Sequence, residues 1–452
     1  MTKRMSLRWV LAAILAALAF ASTAAYAQEM NTWADVVKAR NKGTEITIAM
    51  ATHPSTEAFQ KMAAEFESLT GIKVKWDVME EIYLHDKILT EHAAGTGRYD
   101  VVMMDVCWIG EFAAKRVVEQ LDGYLKDPKQ TPAWFDYEDI VSAYRNGLGA
   151  YQGKVYGIPS AGESAFIAYR KDLFQKYGYS ADKIKTYDDL LAAAKFFNGK
   201  EPGLYGISMR GRRGHHIDYA WFQFLYPYGG GVFKPGTYEP AINSPESVKS
   251  LEFYTELMKY APEGIENFSH EEATTSFMQG RAALWFDATA LAPWIENGAK
   301  SQVAGKVGYM APPAGPKGAY AAVAGWNLAL STKSRHKDAA WAFMMFMTSR
   351  AKAKEYVEKG GVVTRTSILT SPEFVKKYPY YPEIVKSLEL ADTLVKQDID
   401  WRPRIPEWPK IGEIIGLQAS LALTGQATPK AAADQAAKEI RELMEVKGYY
   451  KK

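Results

Sequence analysis

The feature that most constrains this chain is the alternation of two hydrophobic periods between Glu45 and Asp105. EITIAM, starting at Glu45, alternates apolar and polar and then turns apolar, as a strand does. Ser55 can cap a helix running to Leu69, with Phe59, Met62, Ala63 and Phe66 on one face and Gly71 as its stop. IKVKWDV from Ile72 to Val78 predicts a second strand, and Ile82 to Ala94 a second helix. RYDVVMMD, ending at Asp105, has the continuous apolar character of a strand buried on both faces. A βαβαβ order predicts a parallel sheet covered by helices, and hence an α/β fold. Such sheets bind ligands beyond the carboxyl ends of their strands. Thr52-His53-Pro54, Glu80-Glu81 and Asp105-Val106-Cys107-Trp108 occupy those ends.

The alternation continues. Strands are predicted at Phe166–Tyr169, Leu204–Met209, Ala282–Phe286 and Asn327–Leu330. Helices are predicted at His216–Tyr226, Ser247–Tyr260 and His270–Met278. A single long helix is expected from Ala339 to Lys359, ended by Gly360-Gly361. From Ser371 the chain reads as helical, interrupted by WRPRIPEW at Trp401–Trp408. A chain of 452 residues has room for two or three folding units.

The first residues read differently. Lys3, Arg4 and Arg8 precede the apolar run Trp9–Phe20, and Ala25-Tyr26-Ala27 is a small-x-small cleavage signal. This predicts a secretory signal peptide over residues 1–27 and a soluble exported product, periplasmic in location. Without Lys3, Arg4 and Arg8, Lys and Arg fall from 55 to 52, equal to the 52 acids. A net charge near zero leaves no basic field to hold nucleic acid or an anionic membrane. Cys107 is the only cysteine, so no intramolecular disulfide can form. Its expected role is a small buried side chain.

The chain has no G-x-S-x-G, H-E-x-x-H, phosphate loop or dinucleotide fingerprint. His215 and His216 would diverge by about 100° on a helix, which argues against a shared metal. No metal and no cofactor is expected. A sugar or polyol site needs carboxylates, amides and Arg around hydroxyls that both donate and accept, with aromatic faces for the C–H surfaces. Loop starts and strand ends supply Glu81, Asp105, Trp108, Glu163 and Arg210. They also supply Trp221, Tyr228, Asp287, Trp326 and Arg402. Each has a structural alternative: Trp221 and Trp326 as core, Arg210 paired with a surface acid, Asp287 capping the helix after AALWF.

Six segments in order carry a family resemblance. They are YDVVMMDVCWIGEFAAKRVVEQLDGYL, GIPSAGESAFIAYRKDLFQKYG, YPYGGGVF, FMQGRAALWFDATALAPWI, VGYMAPPAGPKG with GWNLALS, and DAAWAFMMFMTSRAKAKEYVEKGG. The chain resembles the family 1 extracellular solute-binding proteins of sugar-class ABC transporters, in the style of the sorbitol/mannitol-binding branch. The resemblance implies a two-lobe, type II Venus-flytrap fold with ligand in the cleft. It implies lobes of residues 28–162 with 309–362 and 163–308 with 363–452. Crossings are implied near Ser160–Ser164, Val307–Pro313 and Gly361–Thr366. Glu163 matches the polar residue of the first hinge, Asp287 the one following the QGRAALWF strand, and Glu81 the second acid of the Glu-Glu pair. Trp401-Arg402 falls where relatives supply a contact from the C-terminal lobe. RGRRGHH at Arg210–His216 is more basic than the branch pattern and is assigned to specificity. The implied function is a monomeric receptor that delivers a sugar or polyol to an inner-membrane permease. The alternative is an exported glycoside hydrolase using Glu163 and Asp287, which requires two carboxylates about 5–9 Å apart.

Overall fold

The computed structural model describes residues 28–395, 397 and 399–450. The expected signal peptide lies outside these residues. Strands β1 (Glu45–Ala51), β2 (Lys73–Met79) and β3 (Val101–Asp105) are followed by β4 (Ile158–Glu163) and β5 (Ala165–Arg170). After them come β6 (Tyr205–Ser208), β7 (Ala282–Ala288), β8 (Val307–Met310) and β9 (Ala324–Leu330). They form two main sheets, one ordered β2-β1-β3-β9-β4 and the other β8-β5-β7-β6. β1 is parallel to β2 and β3, while β9 runs antiparallel to both β3 and β4. In the second sheet only the β6–β7 pair is parallel.

The chain passes between sheets at Ser164, the single residue separating β4 from β5. That passage is latched: the Ser164 N–H donates to Thr289 Oγ1 at 3.0 Å, and the Thr289 N–H donates to the Ser164 carbonyl at 2.9 Å. Val307–Met310 lies in the second sheet as β8, and residues 311–323 return the chain to β9 of the first.

Helix α1 (Pro54–Thr70) buries the predicted face, with Phe59, Met62 and Phe66 in the core. It begins earlier than expected, with His53 rather than Ser55 at the cap. Pro54 lacks an N–H and is pre-set for the first helical position, so the cap moves one residue upstream of it. Gly71, at φ 69°, closes the helix in the left-handed conformation. Helix α2 (Glu81–Ala93) follows β2, so Glu81 is the first helical residue, one ahead of the predicted start at Ile82. In the second half, α3 (His215–Leu225), α4 (Pro245–Met258) and α5 (His270–Met278) form as read.

The expected single helix at 339–359 is two: α6 (Lys337–Thr348) and α7 (Arg350–Glu358). Ser349 is extended at ψ 156°, and its side chain accepts the Lys352 N–H, so it caps α7 and ends α6. Serine competes with the helix for its own backbone bonds, an effect that apolar periodicity does not register. The C-terminal part is helical, with α8 (Tyr381–Val395), α9 (Trp408–Leu423) and α10 (Pro429–Val446). Among the described residues, no helix is long and apolar enough to cross a membrane.

Candidate functional site

Strand register gathers the site. Pairing of β9 with β4 sets Ala324 opposite Glu163, and pairing of β9 with β3 sets Trp326 opposite Asp105. These residues therefore share one edge of the first sheet with His53, just beyond β1, and Glu81, just beyond β2. Gly325 lets β9 approach β4 closely, just before the register shift between Trp326 and Asn327. Its φ is +139°, and a Cβ there would lie 2.2 Å from the Ala161 carbonyl oxygen. Across the gap, Arg210 follows β6 and Ala288 ends β7. Together these residues line a buried cavity with Tyr219, His270 and Arg402.

The polar groups hold one another in place. The Ser55 N–H donates to His53 Nδ1 at 3.2 Å, which makes Nδ1 an acceptor and assigns the proton to Nε2. His53 Nε2 then donates to Glu163 Oε1 at 3.2 Å. Asp105 accepts from the Cys107 N–H at 3.0 Å and from its thiol at 3.1 Å. Burial and the neighbouring Asp105 hold that thiol well above its ordinary pKa, leaving a small, inert side chain.

Two buried arginines lie against the Tyr219 ring. Arg210 grips Asp287 through Nε, 2.9 Å from both carboxylate oxygens, and through Nη2 at 2.6 Å. Its guanidinium carbon sits 4.2 Å from the Tyr219 ring centre, and that of Arg402 lies 5.3 Å away. Arg402 Nη2 donates to Asp218 at 2.8 Å and to the His215 carbonyl at 2.9 Å. Burial disfavours both charges, but Asp287 and Asp218 outweigh it and keep the guanidiniums protonated. Asp218 is pushed up to about 6, because burial exceeds the pull of Arg402.

A histidine group closes the remaining side. Glu81 Oε1 lies 3.2 Å from His215 Nε2, and Oε2 lies 3.3 Å from His270 Nδ1. Neither nitrogen is aligned for a hydrogen bond. Burial would raise the Glu81 pKa, but attraction to His215 and His270 holds it well below the usual carboxylate range. The His215 and His216 rings are 4.3 Å apart despite their divergence along the helix. Free space in the cavity is about 20 Å³, room for about one water. Ala324 and Arg402 also border a second chamber of about 270 Å³, reached by Asn146, Asp400 and Trp401.

A family model described as bacterial extracellular solute-binding protein matches residues 51–354. The chain belongs to this family. A mannitol-binding protein of Pseudomonas aeruginosa is 29% identical over 424 residues, spanning 90% of this chain and 94% of that one. An erythritol/L-threitol-binding protein of Mycolicibacterium smegmatis is 30% identical over 335 residues, 70% of this chain and 69% of that one. Among solved structures, an Agrobacterium radiobacter solute-binding protein in complex with ribitol superposes with a TM-score of 0.82 at 32% identity, covering 89% of this chain and 99% of that one. An Agrobacterium vitis solute-binding protein with bound D-mannitol gives 0.81 at 29%, covering 90% and 100%. The two sheets are thus the two lobes of this fold.

Of the ten positions singled out in this solute-binding protein, Glu81, Asp105, Glu163, Arg210, Trp326 and Arg402 line the cavity. Asp287 stands behind Arg210. It lies inside β7, where the strand extends two residues past Phe286, so it does not cap the following helix. Trp108 packs edge-on against Trp326, with ring centres 5.4 Å apart. Trp221 lies elsewhere, buried with its indole N–H donated to Ser250 at 2.8 Å. Tyr228 also lies elsewhere, packed beside Tyr187 and Phe253. Outside those ten, His53, Tyr219 and His270 add polar lining, beside small and apolar residues such as Ala290 and Leu291. His53 was legible as a strand-end residue. His270 and Tyr219 sit in helices, with no local signal to separate them from core.

Proposed function

We propose that this chain is the substrate-binding component of an ABC importer for a linear polyol, captured between the lobes and delivered to a membrane permease. The observation that carries this reading is the composition of the inter-lobe cavity. It sets fixed acceptors (Glu163, Asp105, Glu81) and fixed donors (Arg210, Arg402) around the Trp326 ring. Hydroxyls that both donate and accept are suited to such a mixed wall. The relatives named for mannitol and for erythritol or threitol, and the structures with ribitol and D-mannitol, support the same class.

The mechanism follows from where the groups sit. Glu81, Asp105, Glu163 and Trp326 belong to first-sheet elements, Arg210 and Tyr219 to second-sheet elements. A ligand touching both sets binds the closed form more tightly than the open form and shifts the population toward closure. The 20 Å³ of free space cannot hold a polyol, so entry requires the walls to part first. The ion pairs keep each donor and acceptor aimed before the ligand arrives, which reduces the ordering cost of binding.

The hydrolase alternative asks Asp287 to act as a free carboxylate. Asp287 is instead saturated by Arg210 and by the Ala288 N–H at 2.6 Å. Titration calorimetry with ribitol, D-mannitol, D-sorbitol, erythritol, D-glucose and maltose tests the proposal. A linear polyol should bind more tightly than either cyclic sugar. Binding of the cyclic sugars alone, or turnover of a chromogenic glycoside, would overturn it.

A further inference from the structure

Sharing Glu81 with the polyol wall is a buried histidine group. His216 and His270 are 1% and 5% exposed. His216 Nδ1 and both ring nitrogens of His270 have no hydrogen-bond partner. His270 has only ion-pair contacts, Nδ1 at 3.3 Å from Glu81 and Nε2 at 4.0 Å from Glu271. Glu81 completes the group: one ligand atom each from Glu81, His216 and His270 all lie within 4.8 Å of one another. The two arginines nearby do not neutralise Glu81, since Arg210 is engaged by Asp287 and Arg402 by Asp218. The group is therefore one buried carboxylate surrounded by imidazoles, with the nearby guanidiniums paired elsewhere.

We propose that Glu81, His216 and His270 form a site for a borderline divalent metal ion of the zinc type. Two imidazoles and a carboxylate with an open further position are a donor set that suits such ions, whereas calcium and magnesium prefer all-oxygen shells. Metal–ligand bonds of about 2.0–2.1 Å set tetrahedral donor atoms about 3.4 Å apart. A donor pair at the 4.8 Å limit draws in by about 1.4 Å, while Glu81 and His270 already lie 3.3 Å apart. Glu81 opens α2 beside the first sheet, while His216 and His270 stand on α3 and α5 beside the second. The ion thus clips the lobes together, and its binding displaces protons from the imidazoles. Asp105, which forms a second close group with Glu81 and His215, borders the same space.

The test uses the mature, untagged, chelator-treated protein with zinc chloride and without any polyol, so its outcome is independent of the sugar-class reading. Equilibrium dialysis should find one zinc per chain. Cobalt(II) in its place should show visible absorption of tetrahedral intensity. His270→Gln and His216→Gln, each checked for native near-ultraviolet dichroism, should weaken zinc binding tenfold or more. His85→Ala, in a separate partly exposed histidine–carboxylate contact, should leave it unchanged. Absence of zinc binding to the wild type, or equal binding by the glutamine variants, would overturn the proposal.

Discussion

At the scale of single residues, the site is a set of pre-formed pairs, and each pair separates affinity from stability. Glu163 accepts from His53 and faces the cavity. Its replacement by Ala should weaken polyol binding by about 1–3 kcal/mol, the cost of an unpaired buried partner. Glu163→Gln preserves an acceptor for His53 Nε2, so its unliganded protein should melt close to wild type. Calorimetry beside thermal melting reads both. An unchanged affinity in Glu163→Ala would place the residue outside the contact shell. Arg402 is the opposite case. Arg402→Met leaves Asp218 buried without its cation, and removing one partner of such a pair costs about 3–5 kcal/mol. Urea unfolding should show that loss even without ligand.

At the scale of elements, local capping overrides periodicity at Ser349. Ser349→Ala removes the side chain that accepts the Lys352 N–H, and should cost about 1 kcal/mol in urea unfolding. A second element contact depends on pH. His85 on α2 meets Glu111, which lies on the short helix Ile109–Ala114, at 2.6 Å. Burial opposes the charge of His85, but the bonds with Glu111 and Asp86 outweigh it and raise its pKa. Burial likewise opposes the charge of Glu111, yet His85 and Lys115 hold its pKa down. A histidine whose folded pKa is raised stabilises fully below its unfolded value of about 6.5 and loses that contribution as pH rises through the folded pKa. Glu111→Gln should therefore destabilise most near pH 5.5–6, with the gap narrowing toward pH 8. Denaturant midpoints across pH read the trend. A gap that widens with rising pH would refute it.

At the scale of the whole molecule, function rests on two sheets presenting opposed walls. A ligand that binds only the native, closed form stabilises by about 2.7 kcal/mol at a hundredfold excess over its dissociation constant. The matching polyol should move the urea midpoint accordingly, while a non-binding sugar leaves it in place. How far this was legible varies with distance along the chain. The parallel βαβαβ start and the α1 face follow from periods of 2 and 3.6 within a dozen residues, and both appear where they were read. Trp221 carried the same aromatic signal as Trp326, yet one is donated to Ser250 in the core and the other lines the cavity. Aromatic character records apolar area, not which side of a wall it occupies.

By itself the sequence determined the alternation of strand and helix, the strand-end positions of His53, Glu81 and Asp105, and the order of family segments. These depend on local period, on turn chemistry and on chain order. Only the tertiary structure decided that Asp287 belongs to Arg210, that Arg402 reaches Asp218 across 184 residues, and that His216 and His270 converge on Glu81. Those pairings are between residues far apart in the chain. They arise because burying a charge or an imidazole forces it to seek whatever partner the packed lobes bring within reach.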